Sequence, residues 1–168
     1  DDPMNPIEWY GKSKAEAERI IRESDIDWTI LRIDFPFRRD AYERPDIAHS
    51  IAQKLQEDSL YPMFTNHYFG PTVIEDLAQV VGWVMRDNVT GLFHASSGEK
   101  WTDYELATAI KEAHDLDGGI EKGDLDAYLK TLERPYQRNT AMDTGKLKEL
   151  YPKELQSVIS AIQRMRVA

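Results

Sequence analysis

Helix-period stretches alternate with short apolar runs along this chain, and that alternation most constrains what it can fold into. The first unit sets the pattern. Asn5-Pro6-Ile7-Glu8 reads as a helix start, with Asn5 as N-cap, Pro6 at the first helical position and Glu8 completing a capping box. The helix runs through Ala15, Ala17, Ile20 and Ile21 to about Arg22. Asp25-Ile26-Asp27 reads as a turn, and Trp28-Thr29-Ile30-Leu31-Arg32-Ile33 as a mostly apolar strand. Repetition of such units predicts an α/β fold.

The next stretches repeat the alternation. Asp34-Phe35-Pro36-Phe37-Arg38-Arg39 reads as a loop at a strand's carboxyl end, where ligands of open α/β sheets gather. Residues 47–56 predict a helix burying Ile47, Ile51 and Leu55. Residues 60–74 look extended. Tyr61, Phe64, Tyr68 and Phe69 could stack on a base there, although aromatic strands more often form core. Residues 74–85 form an amphipathic helix with Ile74, Leu77, Ala78, Val81, Val84 and Met85 on one face. Thr72 and Glu75 suit a capping box at its start, and Val73-Ile74 equally suits the end of a strand. Asp87-Asn88 and Gly91 mark its exit, and Leu92-Phe93-His94-Ala95 is a short strand.

Trp101, Thr102, Glu105 and Leu106 fit a hydrophobic staple with a capping box, a structural role for Trp101, and a helix follows over 104–114. The acidic stretch 115–126 resembles a calcium loop only superficially. Gly119 and Ile120 sit where such a loop needs an oxygen ligand and a glycine, so it reads as a solvated turn into a short helix over 125–132. The tail reads as helices over 146–150 and 152–165, with Leu155, Ile159 and Ile162 buried.

Tyr10-Gly11-Lys12-Ser13-Lys14 carries the chemistry. Tyr10 and Lys14 are four apart, which puts both side chains on one helix face. An ammonium beside a phenol favours the phenolate, and such a tyrosine can hand a proton to a developing alkoxide. Arg38, Arg39 and Arg44 could meet a diphosphate, against the simpler reading of a solvated basic turn. Arg134-Pro135 stops a helix and leaves a guanidinium on a loop, ready for phosphate oxygens or for a surface carboxylate.

Composition removes several function classes. At 168 residues the chain is long enough for one domain with a core. It has no cysteine, hence no disulfide framework and no thiolate site. Net charge of -9, from 30 acidic and 21 basic residues, argues against nucleic acid as a partner. No apolar run approaches membrane-span length, so no membrane partner is expected. The four histidines show no ligand spacing, and no metal site is expected. The nine glycines form no phosphate-cradling turn of the kind a dinucleotide enzyme places after its first strand.

Asn5-Pro6 followed by Tyr10-Gly11-Lys12-Ser13-Lys14-Ala15-Glu16-Ala17-Glu18 resembles the active-site helix of extended short-chain dehydrogenases/reductases, and Ile30-Leu31-Arg32 resembles the strand after it. Later segments narrow the likeness to dTDP-4-dehydrorhamnose reductases and their relatives. Gly70-Pro71-Thr72 with Asp76-Leu77-Ala78 is similar to that family's Pro-Thr…Asp-Leu-Ala stretch. Gly91-Leu92-Phe93-His94, then Trp101-Thr102-Asp103-Tyr104-Glu105-Leu106-Ala107, is similar to its strand, loop and Trp-led helix. Arg134-Pro135 and Asn139-Thr140-Ala141-Met142-Asp143 resemble its Arg-Pro…Leu-Asp tail. Gly70 abuts Pro71 where the family has one residue between, and Met142 replaces a leucine.

The resemblance implies the C-terminal part of a Rossmann-type NAD(P)-binding fold with a small α/β substrate-binding lobe. Residues 1–34 would belong to the cofactor-binding part. Residues 35–168 would form mainly the substrate lobe, plus a returning helix near 74–86, and the Gly-rich half would lie outside this chain. It implies a reductase of a 4-keto nucleotide sugar using NADP or NAD. Tyr10 and Lys14 would be catalytic and cofactor-binding, and Arg134, Arg38 and Arg39 substrate-binding. The fragment alone would be inactive, the location cytoplasmic and the assembly a possible homodimer. Alternatives are an epimerase or dehydratase of the same superfamily, and a non-catalytic regulatory subunit on this fold.

Overall fold

The computed structural model describes residues 4–167. In chain order the elements are α1 (Trp9–Arg22), β1 (Thr29–Arg32), β2 (Pro36–Phe37), α2 (Ile47–Gln56), β3 (Met63–Phe64), β4 (Tyr68–Phe69), β5 (Thr72–Val73) and α3 (Ile74–Asp87). They continue with β6 (Gly91–His94), β7 (Trp101–Thr102), α4 (Asp103–Ala113), β8 (Lys122–Gly123), α5 (Leu125–Leu129), α6 (Gly145–Leu150) and α7 (Val158–Gln163). The α/β alternation read from the sequence is the architecture observed.

Among the described residues the strands form four pairs. β1 and β6 run parallel, with Thr29 opposite Gly91 and Arg32 opposite His94. β2 pairs parallel with β5, β3 parallel with β8, and β4 antiparallel with β7. Two apolar cores result. The larger gathers Phe37, Ile51, Leu55, Phe69, Leu106 and Ile110, with Ile162 from α7. The smaller joins Val80 and Trp83 of α3 to Phe93, Leu147 and Tyr151. Trp83 meets Phe93 and Tyr151 edge-on, with ring centres 6.3 and 5.3 Å apart.

α1 lies outside both cores and buries no residue completely. Its tie to the sheet is ionic. Arg32 at the end of β1 grips Glu18 with two hydrogen bonds of 2.8 Å, from Nε and a terminal nitrogen. This pairing holds the Glu18 carboxyl below its ordinary range, with partial burial opposing.

Local differences from the sequence reading have identifiable causes. α1 starts at Trp9, and extended Glu8, not Asn5, is its N-cap, with no side-chain cap. Pro6 lies against the first turn instead: a Cβ at Gly11 would stand 3.1 Å from Pro6 Cβ. Part of the loop expected over 34–39 is strand, because Pro36 and Phe37 pair with Thr72 and Val73. α3 buries Val80 and Trp83, while Val81 and Met85 are exposed, since the bulky indole sets which face packs inward. At its start Thr72 and Val73 form strand, so of the two readings there the strand end holds. β8 had no sequence signal of its own. Residues 152–157 are not helical, and Ile159 is exposed. The α4 capping box is present: Glu105 N donates to Thr102 Oγ1 at 3.1 Å, and Thr102 N to Glu105 Oε2 at 2.8 Å.

Candidate active site

Two places in the fold carry chemistry. The first is the amino end of α1. Lys14 Nζ stands 5.5 Å from the centre of the Tyr10 ring, as four-residue spacing on a helix requires. Both side chains are exposed, Tyr10 by 67%. Ser13 Oγ donates to the Tyr10 carbonyl at 2.8 Å, closing the turn beneath them. The short turn at 23–28 and the Glu18–Arg32 contact make α1 and β1 run in opposite senses. That carries Tyr10 toward the carboxyl end of β1, the ligand side of an α/β sheet.

The second place begins at that carboxyl end. Half-buried Asp34 follows β1, and its Oδ2 accepts from Gly70 N at 2.9 Å and Thr140 Oγ1 at 2.7 Å. Burial pushes the Asp34 carboxyl up, although the Gly70 and Thr140 donors and nearby His67 pull it down. Phe35 has φ +36°, a strained value for a residue with a side chain. Its ring packs on Phe69 at 4.6 Å and against His67 at 5.9 Å. Thus one carboxylate pins three segments, the ends of β1 and β4 and the strand-like stretch near Thr140.

The surroundings of His67 are aromatic. His67 is buried, and its Nδ1 lies 2.7 Å from Asp103 Oδ2. Tyr136 packs 5.5 Å from the His67 ring, and Phe64 lies 5.4 Å from Tyr128. Burial, then the Asp103 and Tyr128 charges, raise the Tyr136 phenol, and the Arg134 guanidinium acts the other way. Partial burial and Asp103 likewise raise Tyr61. Tyr61 and Tyr136 thus approach the Asp103 carboxylate from separate loops, and Arg134 lies two residues before Tyr136 on the same loop.

The sequence-predicted residues are distributed unequally over these places. Tyr10 and Lys14 stand together. Arg134 is exposed, with its charge near Tyr136. Arg38 is engaged elsewhere, its Nε 3.6 Å from Asp46 and its guanidinium carbon 5.5 Å from the Tyr42 ring. Arg39 is held through its backbone, N–H to Glu75 at 2.9 Å and carbonyl to Arg166 N at 2.8 Å. Asp34, Asp103 and Tyr136 were not singled out from the sequence, and His67 was read as one of four scattered histidines. The aromatic run 61–69 divides: Phe69 is core, Tyr61 is exposed, and Phe64 and Tyr68 lie between. Among the described residues no three or more histidine, aspartate and glutamate side chains group so as to hold a metal ion. No helix among them is long and apolar enough to cross a membrane.

The chain as a whole has known counterparts. A family model described as the RmlD substrate binding domain matches residues 1–167. Methionine adenosyltransferase 2 subunit beta of Bos taurus is 26% identical over 168 residues, covering 89% of this chain and 46% of that protein. The spore coat polysaccharide biosynthesis protein SpsK of Bacillus subtilis is 30% identical over 135 residues, covering 80% of this chain and 46% of its own length. A solved dTDP-4-dehydrorhamnose reductase of Bacillus anthracis, in complex with NADP, aligns with a TM-score of 0.85 at 16% identity, over 98% of this chain and 57% of that one. At that identity the likeness establishes the fold alone: the α/β arrangement is of Rossmann type. The chain spans about half the length of the relatives it matches.

Proposed function

The chain belongs to the RmlD substrate binding domain family, and from that premise we propose that the whole protein is an NAD(P)H-dependent reductase of a 4-keto nucleotide sugar, with this chain its C-terminal, substrate-binding portion. The observation carrying the reading is the exposed pair Tyr10 and Lys14, with the ammonium 5.5 Å from the ring centre. A phenol and an ammonium open on one face fit a nicotinamide cofactor and a sugar carbonyl. When bound, that cofactor supplies the hydride. Tyr10 is the acid, passing its hydroxyl proton to the sugar oxygen as negative charge develops there. Lys14 holds the cofactor ribose and keeps positive charge beside the phenol. Arg134 grips the nucleotide, with Tyr136 and Tyr61 as apolar walls. Arg38 and Arg39 are further candidates for the diphosphate, and Arg38 must leave Asp46 to serve. Residues 1–34 then belong to the cofactor-binding part and the rest mainly to the substrate lobe.

The test is Tyr10→Phe in the full-length parent, with NADPH and a dTDP-4-keto-6-deoxysugar. Turnover should fall by roughly 10²–10⁴, the usual contribution of a positioned acid, with sugar-nucleotide binding nearly intact. An unchanged rate sinks the assignment. A changed sugar without net NADPH oxidation would instead point to an epimerase or dehydratase. Isolated, the chain should neither turn over nor bind NADPH tightly, and saturable low-micromolar binding would overturn that.

A second reading has its own support, because one relative is by name a subunit of a methionine adenosyltransferase. On that reading the protein binds nucleotide and a partner enzyme without reducing anything. Tight nucleotide-sugar binding with no NADPH consumption would favour it. Retention of both Tyr10 and Lys14 argues against it, since binding alone does not need the pair.

A further inference from the structure

Away from both places described above, a groove of about 480 Å³ runs along the outer face of α4, with α7 on one side. Its lining is mainly apolar, with Trp101, Tyr104 and Ala109 on the α4 side and Ile159 on α7. Ile159 was expected in the core, yet it is 43% exposed at this groove.

The groove's margin is acidic and unneutralised. Glu99 accepts from Trp101 Nε1 and Val158 N, both at 2.9 Å, so its charge meets only neutral donors. Glu105 takes the Thr102 N–H and hydroxyl on Oε2 alone. Glu112 has neither an ion pair nor a hydrogen bond among the described residues, and it stands in the last turn of α4, where the helix dipole disfavours a carboxylate. Lys100 is the one cation lining the groove among the described residues, and its ammonium lies 4.1 Å from the centre of the Tyr68 ring. Lys122, outside the lining, sits 5.2 Å from the Tyr104 ring.

We infer that this groove receives a basic amphipathic helix of a partner protein. The spacing argues for a helix. Glu105 and Glu112 are seven residues apart, two turns along one face, and match arginines or lysines one heptad apart on the occupant. Tyr104 to Glu112 covers about 12 Å of α4, enough for two turns of a docked helix. The aromatic and aliphatic floor takes its apolar ridge in the helix-in-groove manner, and guanidinium groups stack on Trp101 and Tyr104 while pairing with the carboxylates.

The experiment uses the full-length parent and a fluorescent 14-residue peptide helix with leucines on one face and arginines on the other. Anisotropy should show saturable binding that weakens as salt rises. Glu112→Lys places a dipole-favoured cation at an exposed position, so folding is retained, and it should weaken binding about tenfold or more. Ile159→Lys should do the same through the floor. A leucine–glutamate peptide of equal length should not bind. No saturable binding by the parent overturns the inference, and covers the case in which another part of the same chain fills the groove. Wild-type affinity in both variants also overturns it, since the peptide would then be held elsewhere on the acidic surface.

Discussion

Asp34 is the residue on which the candidate site turns, because it joins segments that lie 36 and 106 positions away. Its carboxyl is raised by burial. The folded state therefore holds the proton more tightly than the unfolded chain does. Stability from this group is complete below the unfolded value of about 3.9 and is lost as pH rises through the higher folded value. Asp34→Asn keeps an acceptor for Gly70 and Thr140 and abolishes that loss. Urea titrations from pH 4 to 7 should show the variant gaining on the wild type as pH rises, and a falling difference would refute the argument. At this scale the Tyr10 and Lys14 pair was legible because helix geometry alone brings residues four apart together. Asp34 with Thr140, and His67 with Asp103, were not, since no local rule relates residues so far apart in the chain.

Among the elements, α4 was legible in full, α3 in its extent but not its buried face, and β8 not at all. Thr102-x-x-Glu105 is a local signature, and both of its hydrogen bonds form. Thr102→Ala should cost about 1 kcal/mol in thermal or urea unfolding, while Glu105→Gln, which can keep the reciprocal bond, should cost far less. In α3 apolar residues occupy more than one stripe, so periodicity alone could not choose the buried one. Trp83→Ala should cost about 3–5 kcal/mol, the range for emptying a large aromatic site, against little for Met85→Ala at its 75% exposed position. α1 is clasped to β1 by the Glu18–Arg32 ion pair. The Glu18 carboxyl is held low by Arg32, so its contribution is present above about pH 4.3 and is lost as pH falls through the lower folded value. Hydrogen exchange followed as pH falls below about 4.3 should find α1 amides opening before those of α4, and equal protection would count against the clasp.

The whole molecule is assembled by approaches between distant backbones as much as by apolar faces. A Cβ at Gly118 would stand 2.1 Å from the Leu55 carbonyl oxygen, so the turn after α4 can meet the end of α2 only through glycine. Gly118→Ala should destabilise by about 1–3 kcal/mol on overpacking grounds, measured as a lower urea midpoint with unchanged slope. The α/β alternation, the α4 cap and the Tyr10–Lys14 face were determined by the sequence itself, because each rests on a spacing of a few residues and on backbone geometry that repeats. Tertiary structure decided the rest: which α3 stripe is buried, that Pro36-Phe37 becomes a strand, that Arg38 turns to Asp46, that Asp34 reaches Thr140 and that His67 stands beside Tyr136. Those outcomes depend on which surfaces meet and exclude water, and burial, unlike periodicity, belongs to the assembled chain.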